Sequence, residues 1–176
     1  MITLTTERLI LRPWKETDLD SLIKLNQDPE VMRFFPSVLS EHETQEMFNR
    51  IASLFDINGW GFWLAEHRDT HEFIGLIGLN KVELDIPCAP FIEVGWRVAK
   101  DHWGKEYAPE GARAAIKFAF DELDQAAVYA FTAKQNAPSQ RVMQKIGMVN
   151  TRNDFDHPKL KAGDILQRHC LYKISR

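Results

Sequence analysis

Val98-Ala99-Lys100-Asp101-His102-Trp103-Gly104-Lys105-Glu106-Tyr107-Ala108-Pro109-Glu110-Gly111 is the stretch on which the fold turns. It places a glycine-containing loop between a hydrophobic strand, Phe91 to Val98, and an amphipathic helix predicted from about Pro109 to Leu123. Ala112, Ala115, Ile116, Ala119 and Phe120 form that helix's apolar stripe. Pro109 suits a first turn, where its missing N–H is no loss. The first N–H groups of such a helix have no intrahelical partner, and the helix dipole favours an anion beside them. Gly104 permits close backbone approach, and Lys105 adds positive charge at the rim. By itself the loop admits two readings, an anion cradle or a tight strand-to-helix turn, and it matches neither G-x-G-x-x-G nor the Walker pattern.

Working outward, Ala127 to Thr132 reads as a buried-type strand and Pro138 to Ile146 as a short helix ended by Gly147. Met148 onward and Ile165 to Ile174 read as the last strands. Upstream, Phe62 to Glu66 and Phe73 to Leu79 flank the polar turn Arg68 to Glu72, the pattern of an antiparallel hairpin. Residues 85–90 read as a loop. Two helices precede the hairpin: one over 18–25 with Thr17 as cap, and one opened by the capping box Ser40-Glu41-His42-Glu43 and closed at Asn58-Gly59. Leu9 to Arg12 is a short strand stopped by Pro13. Strand–helix–strand–helix–strand after a hairpin implies a mixed sheet covered by helices.

Length and charge narrow the function classes. The 176 residues suit one domain, 1–176, able to bury a core without staples. A formal net charge of -3 gives no basic face for nucleic acid, and mild acidity suits a cationic acceptor. Cys88 and Cys170 lie in no CxxC pattern, so neither zinc nor a disulfide framework is expected. His67 and His71 straddle a turn, a poor metal geometry, so no metal is expected. No apolar run reaches membrane-spanning length and no signal peptide is visible. The expected setting is cytoplasmic.

Three ordered motifs carry a family resemblance: Glu93-Val94-Gly95-Trp96; Trp103-Gly104-Lys105-Glu106-Tyr107-Ala108-Pro109-Glu110; and Asn136-x-x-Ser139 with Lys145-x-Gly147-Met148. With the opening Thr6-Glu7-Arg8-Leu9-Ile10-Leu11-Arg12-Pro13, they resemble the GCN5-related N-acetyltransferase (GNAT) superfamily, in the branch of ribosomal-protein N-terminal acetyltransferases. The resemblance implies an α/β (α+β) fold with a mixed, mostly antiparallel sheet of about six or seven strands. About four helices flank it, and it splays between two central parallel strands, 91–98 and 127–132. It implies acetyl-CoA as cosubstrate and an amine acceptor, either a peptide N-terminus or a small molecule, in a monomer or homodimer. Backbone groups at Arg97 and Val98 are expected to pair with the pantetheine arm. Amides from Trp103 through Gly104, Lys105, Glu106 and Tyr107 to Ala108 are expected to hold the pyrophosphate. Asn136 is expected to bond the pantetheine or nearby chain, and Ser139 to protonate the departing thiolate.

Acetyl transfer needs a neutral amine and a donor for the tetrahedral oxyanion. Glu93 is the candidate base; it reads equally as a strand glutamate facing solvent or paired with a cation. Ser139 also reads as a cap of helix 138–146. Trp14, Phe34, Phe35, Trp60 and Trp63 are candidates for an acceptor pocket, with core packing as the competing reading. Glu106 stands where the family usually has Gly or Ala, and an inward carboxylate would oppose a phosphate. That departure keeps a second reading open, a coenzyme-A-binding sensor without turnover.

Overall fold

A computed structural model describes residues 1–176. Its strands are β1 (Leu4–Thr5), β2 (Leu9–Arg12), β3 (Phe62–His67), β4 (Phe73–Val82), β5 (Phe91–Val98), β6 (Ala127–Ala133), β7 (Val149–Asn150), β8 (Phe155–Asp156) and β9 (Arg168–Ser175). Its helices are α1 (Leu19–Gln27), α2 (Glu41–Asn58), α3 (Tyr107–Asp121) and α4 (Ala137–Lys145). The sheet runs β1-β2-β3-β4-β5-β6-β9-β7, with β8 also on β9. Every pairing is antiparallel except β5 with β6. That parallel contact has one register pair, Glu93 opposite Tyr129, so the two strands part towards their C-terminal ends.

The sheet has two covered faces. Ile77, Ile92 and Val94 point at α3, where Gly111 lets the helix settle on Ile77. Leu76 points the other way, into a smaller cluster with Leu22 and Leu25 of α1 and Phe48 of α2. Because β-strand side chains alternate, Glu93, Gly95 and Arg97 share the α1 face with Leu76.

Helix ends follow local chemistry. Ser40 Oγ accepts from Glu43 N–H, and Glu43 Oε2 accepts from Ser40 N–H at 2.7 Å, the reciprocal box expected at α2. Gly59, at φ 77°, closes it. Thr17 does not cap α1. Residues Glu16–Asp18 form a 3-10 turn, and Asp18 accepts from Lys15 N–H and from the Arg12 guanidinium. Arg12 also donates to Glu66 at 2.8 Å, and this two-carboxylate pull on Asp18's partner sets where the helix starts. β4 runs to Val82, longer than its apolar pattern indicates, and β9 begins at Arg168 after a loop.

Glu110 staples the N-terminal segment to α3. Its Oε1 accepts from Thr6 Oγ1 at 2.6 Å and Arg8 N–H at 2.8 Å, and its Oε2 from Arg8 Nε at 2.7 Å. These donors hold its carboxyl below the usual range despite partial burial. Glu110→Ala is expected to lower stability by about 2 kcal/mol in urea unfolding, because half-buried donors lose their shared acceptor.

Candidate active site

The loop before α3 is built around two left-handed residues, Gly104 at φ 73° and Glu106 at φ 64°. Neither the turn nor the helix gives an acceptor to the N–H groups of Gly104, Lys105, Glu106, Tyr107 and Ala108. Successive free amides at a helix start form a concave anion receptor. Arg8 holds this turn from below: Nη1 donates to Lys105 O at 2.9 Å, and its guanidinium lies 4.7 Å from the Tyr107 ring centroid. Glu106 turns its carboxylate to Lys145 Nζ, 2.5 Å away at the end of α4. The departure from the family's Gly or Ala therefore puts no unpaired negative charge in the cradle.

Trp103 is half exposed, and its indole N–H donates to Val98 O at 2.8 Å. Ala99 N–H donates to Ile74 O, and Arg97 O lies against Gly75. The Arg97 carbonyl thus turns to β4, which corrects the expectation that its backbone faces the coenzyme arm. By strand alternation, Trp96 and Val98 present their backbone groups to the gap beside β6. Which β5 residues turn their backbone groups to the gap depends on register, which residue type does not reveal.

Across the gap, α4 is preceded by Asn136, whose Oδ1 accepts from Ser139 N–H at 3.2 Å while its Nδ2 donates to Thr132 Oγ1 at 2.9 Å. Asn136, rather than Ser139, is the cap. The Ser139 hydroxyl is half-buried and makes no hydrogen bond within the chain.

On the α1 face, Glu93 sits half-buried between Asn80 of β4 and Tyr129 of β6. Burial pushes its carboxyl up to about 7, against a weaker opposing hydrogen bond from Asn80. Phe62 lies over Gly95 next to it, where a Cβ would meet the ring at 3.0 Å. Arg97 follows, with its Nη1 donating to Asn26 Oδ1 and its guanidinium 4.4 Å from the Phe35 ring. Asn26 was also missed, although a polar residue beside Leu22 and Leu25 on an apolar stripe was a signal.

The aromatic pocket candidates separate. Phe35, 40% exposed, reaches the Arg97 group. Trp14 packs by Phe48 and Phe73 with its indole N–H on Phe62 O at 2.8 Å, a support beneath the site. Trp60 packs half-buried on the main core. Trp63 is not a pocket residue: it is 0% exposed, in register with Ile77 on the α3 face, between Phe55 and Phe118.

Residues 8–149 match the family model described as Acetyltransferase (GNAT) domain. An uncharacterized Bacillus subtilis protein, YkkB, is 34% identical over 82% of this chain and 84% of its own. The Aspergillus fumigatus FsC-acetyl coenzyme A-N(2)-transacetylase is 30% identical over 99% of this chain and 76% of its own. A Bacillus anthracis GNAT-family acetyltransferase structure superposes with a TM-score of 0.81 at 24% identity, covering 99% of this chain and 98% of that one.

Proposed function

The chain belongs to the GNAT acetyltransferases and uses acetyl-CoA to acetylate an amine, and from that premise we propose how its residues divide the work. The amides of residues 104–108, with Arg8, Lys105 and Lys145 around them, hold the coenzyme's diphosphate. The β5 edge at Trp96 and Val98 takes the pantetheine arm as an added strand would. Glu93 removes a proton from the bound ammonium. The free amine attacks the thioester carbonyl, the C–N bond forms, and a β5 N–H between Val94 and Val98 receives the oxyanion. The C–S bond then breaks, and Ser139 Oγ passes its proton to the leaving sulfur and regains one from solvent. No covalent enzyme intermediate is required.

The observation that carries this reading is the row of partnerless amides beside a parting in the sheet, with a carboxyl titrating near 7 on the adjoining strand. Calorimetric titration with acetyl-CoA, and thiol release from acetyl-CoA over a panel of amines, test it. No binding at millimolar coenzyme would refute it. Ser139→Ala is expected to lower kcat about tenfold with the acetyl-CoA KM unchanged; thiolates leave readily, so losing the acid costs less than losing a base. Glu110→Ala should raise the acetyl-CoA KM several-fold while the acceptor KM stays, because it frees the strand that supports the cradle.

The acceptor is a primary amine, on a peptide N-terminus or a small molecule. We place the enzyme, one domain over 1–176 working as monomer or homodimer, in the cytoplasm. The unpaired Cys88 and Cys170 support that setting. The absence of net positive charge argues against a nucleic-acid partner. No helix is long and apolar enough to cross a membrane.

A further inference from the structure

Arg97 carries a charge that nothing in the fold pairs. Arg8 and Arg12, the other arginines tucked against the sheet, each hold carboxylates, Glu110 for one and Asp18 and Glu66 for the other. Arg97 has none. Its Nη1 donates to Asn26 Oδ1 and lies 3.9 Å from Met47 Sδ. Its Nε is shut from solvent without any partner, and Nη2 makes no hydrogen bond. Across the sheet its row reads Leu64, Leu76, Arg97, two aliphatic residues and then a cation. Desolvation draws its pKa down to about 10, so it stays charged at neutral pH with its burial uncompensated.

The unused groups have a definite shape. Asn26 holds one nitrogen and the Phe35 ring covers one side, which fixes the guanidinium plane. What remains open is Nη2, with the closed Nε behind it; a carboxylate is the anion whose oxygen a guanidinium N–H holds by a charge-assisted hydrogen bond. The side chain points to the α1 face, whereas the diphosphate cradle begins at Gly104, so the anion it awaits is not the coenzyme's. Arg97, Gly95 and Glu93 are successive residues on one face, about 7 Å apart in each step.

We propose that Arg97 selects the acceptor, and that the amine acetylated carries a carboxylate a few bonds from its nitrogen, as in an amino acid. The carboxylate docks at Nη2, and the amine lies towards Glu93 beside the Phe62 ring that covers Gly95. Phe35, half exposed on the turn after α1, forms the outer wall. This rests on the acetyl-transfer reading and adds to it the chemical class of the acceptor. It replaces the purely cationic acceptor suggested by net charge with a zwitterionic one, because the site sets an unpaired Arg97 on the same face as Glu93.

The test compares matched amines by thiol release from acetyl-CoA: β-alanine against n-propylamine, γ-aminobutyrate against n-butylamine, and L-phenylalanine against phenethylamine. In the wild-type protein at least one carboxylated member should exceed its partner tenfold or more in kcat/KM. Arg97→Gln should erase that preference through the acceptor KM, with acetyl-CoA binding by calorimetry within about twofold of wild type. Arg97→Lys, which keeps the charge but not the fork, should restore part of it. Equal or poorer use of every carboxylated amine by the wild-type enzyme overturns the proposal. So does an Arg97→Gln protein that keeps the preference, or that loses rate equally for both members of a pair. Absence of both coenzyme binding and thiol release with all amines would remove the acetyltransferase reading itself, and the proposal with it.

Discussion

Glu93→Gln should lower kcat/KM by about 10²- to 10³-fold and at the same time raise the melting temperature at pH 8. Both effects come from one fact: the protein surrounds a carboxyl that no cation neutralises. In the unfolded chain this group titrates near 4.5, and in the fold near 7. Between those values the native state binds more protons than the unfolded state. Its stability therefore declines as pH rises through that window and stays lower above it. Glutamine occupies nearly the same volume, can still accept from Asn80, and has no charge to desolvate. The variant and wild type should melt together near pH 4. By pH 8 the variant should be ahead by about 2 kcal/mol, or roughly 5 °C for a chain of this size. The wild-type kcat/KM should rise with pH to a plateau above about 7, whereas the residual rate of the variant should lack that step. Thermal melts and rate profiles across pH 4–9 measure both. A glutamate with a purely structural role would lose stability on substitution, the opposite sign.

Gly75→Ala should destabilise the protein by about 3 kcal/mol, lowering the melting temperature by roughly 10 °C. Gly75 has φ 154°, and a Cβ there would lie 2.1 Å from Arg97 O and 2.9 Å from Val98 Cα. Both obstacles are backbone, so no side-chain rotation relieves them. β4 and β5 must part at the segment that carries Arg97 and sets Val98 beside the gap, and on the proposed coenzyme site acetyl-CoA affinity should fall with stability. Gly104→Ala supplies the contrast. Its φ is 73° but nothing lies within 4 Å of the added methyl, so only the backbone term of about 1 kcal/mol is expected. Urea unfolding of the two variants ranks them; equal losses would mean that β4 yields without parting the sheet.

Much of the frame was legible because it is written locally. Phe91–Val98 is a continuous apolar-rich run with the observed limits, and Ser40 with Glu43 announces α2 through four adjacent residues. Gly59 and Gly147 mark helix ends by the positive φ that they alone adopt without strain. What escaped depends on chain segments meeting at long range. Asn26 meets Arg97 across 71 positions, and Asn80 faces Glu93 only through the β4–β5 register. Trp63 and Phe62 are adjacent aromatics on opposite faces, so composition alone could not assign the first to the core and the second to the site. Thr17 offered a sound local cap, but the ion pairs of Arg12 with Asp18 and Glu66 outweighed it. β1, β7 and β8 have two residues each, too few to display any alternation.

The parting between β5 and β6 has a mechanical side. The strands β1 to β5 and the strands β6 to β9 are laced together across the sheet at a single rung, Glu93 with Tyr129. A coenzyme lying in that seam touches both sides and works as a suture between them. Loading the enzyme should therefore stiffen the whole molecule, and each product release reopens its weakest join.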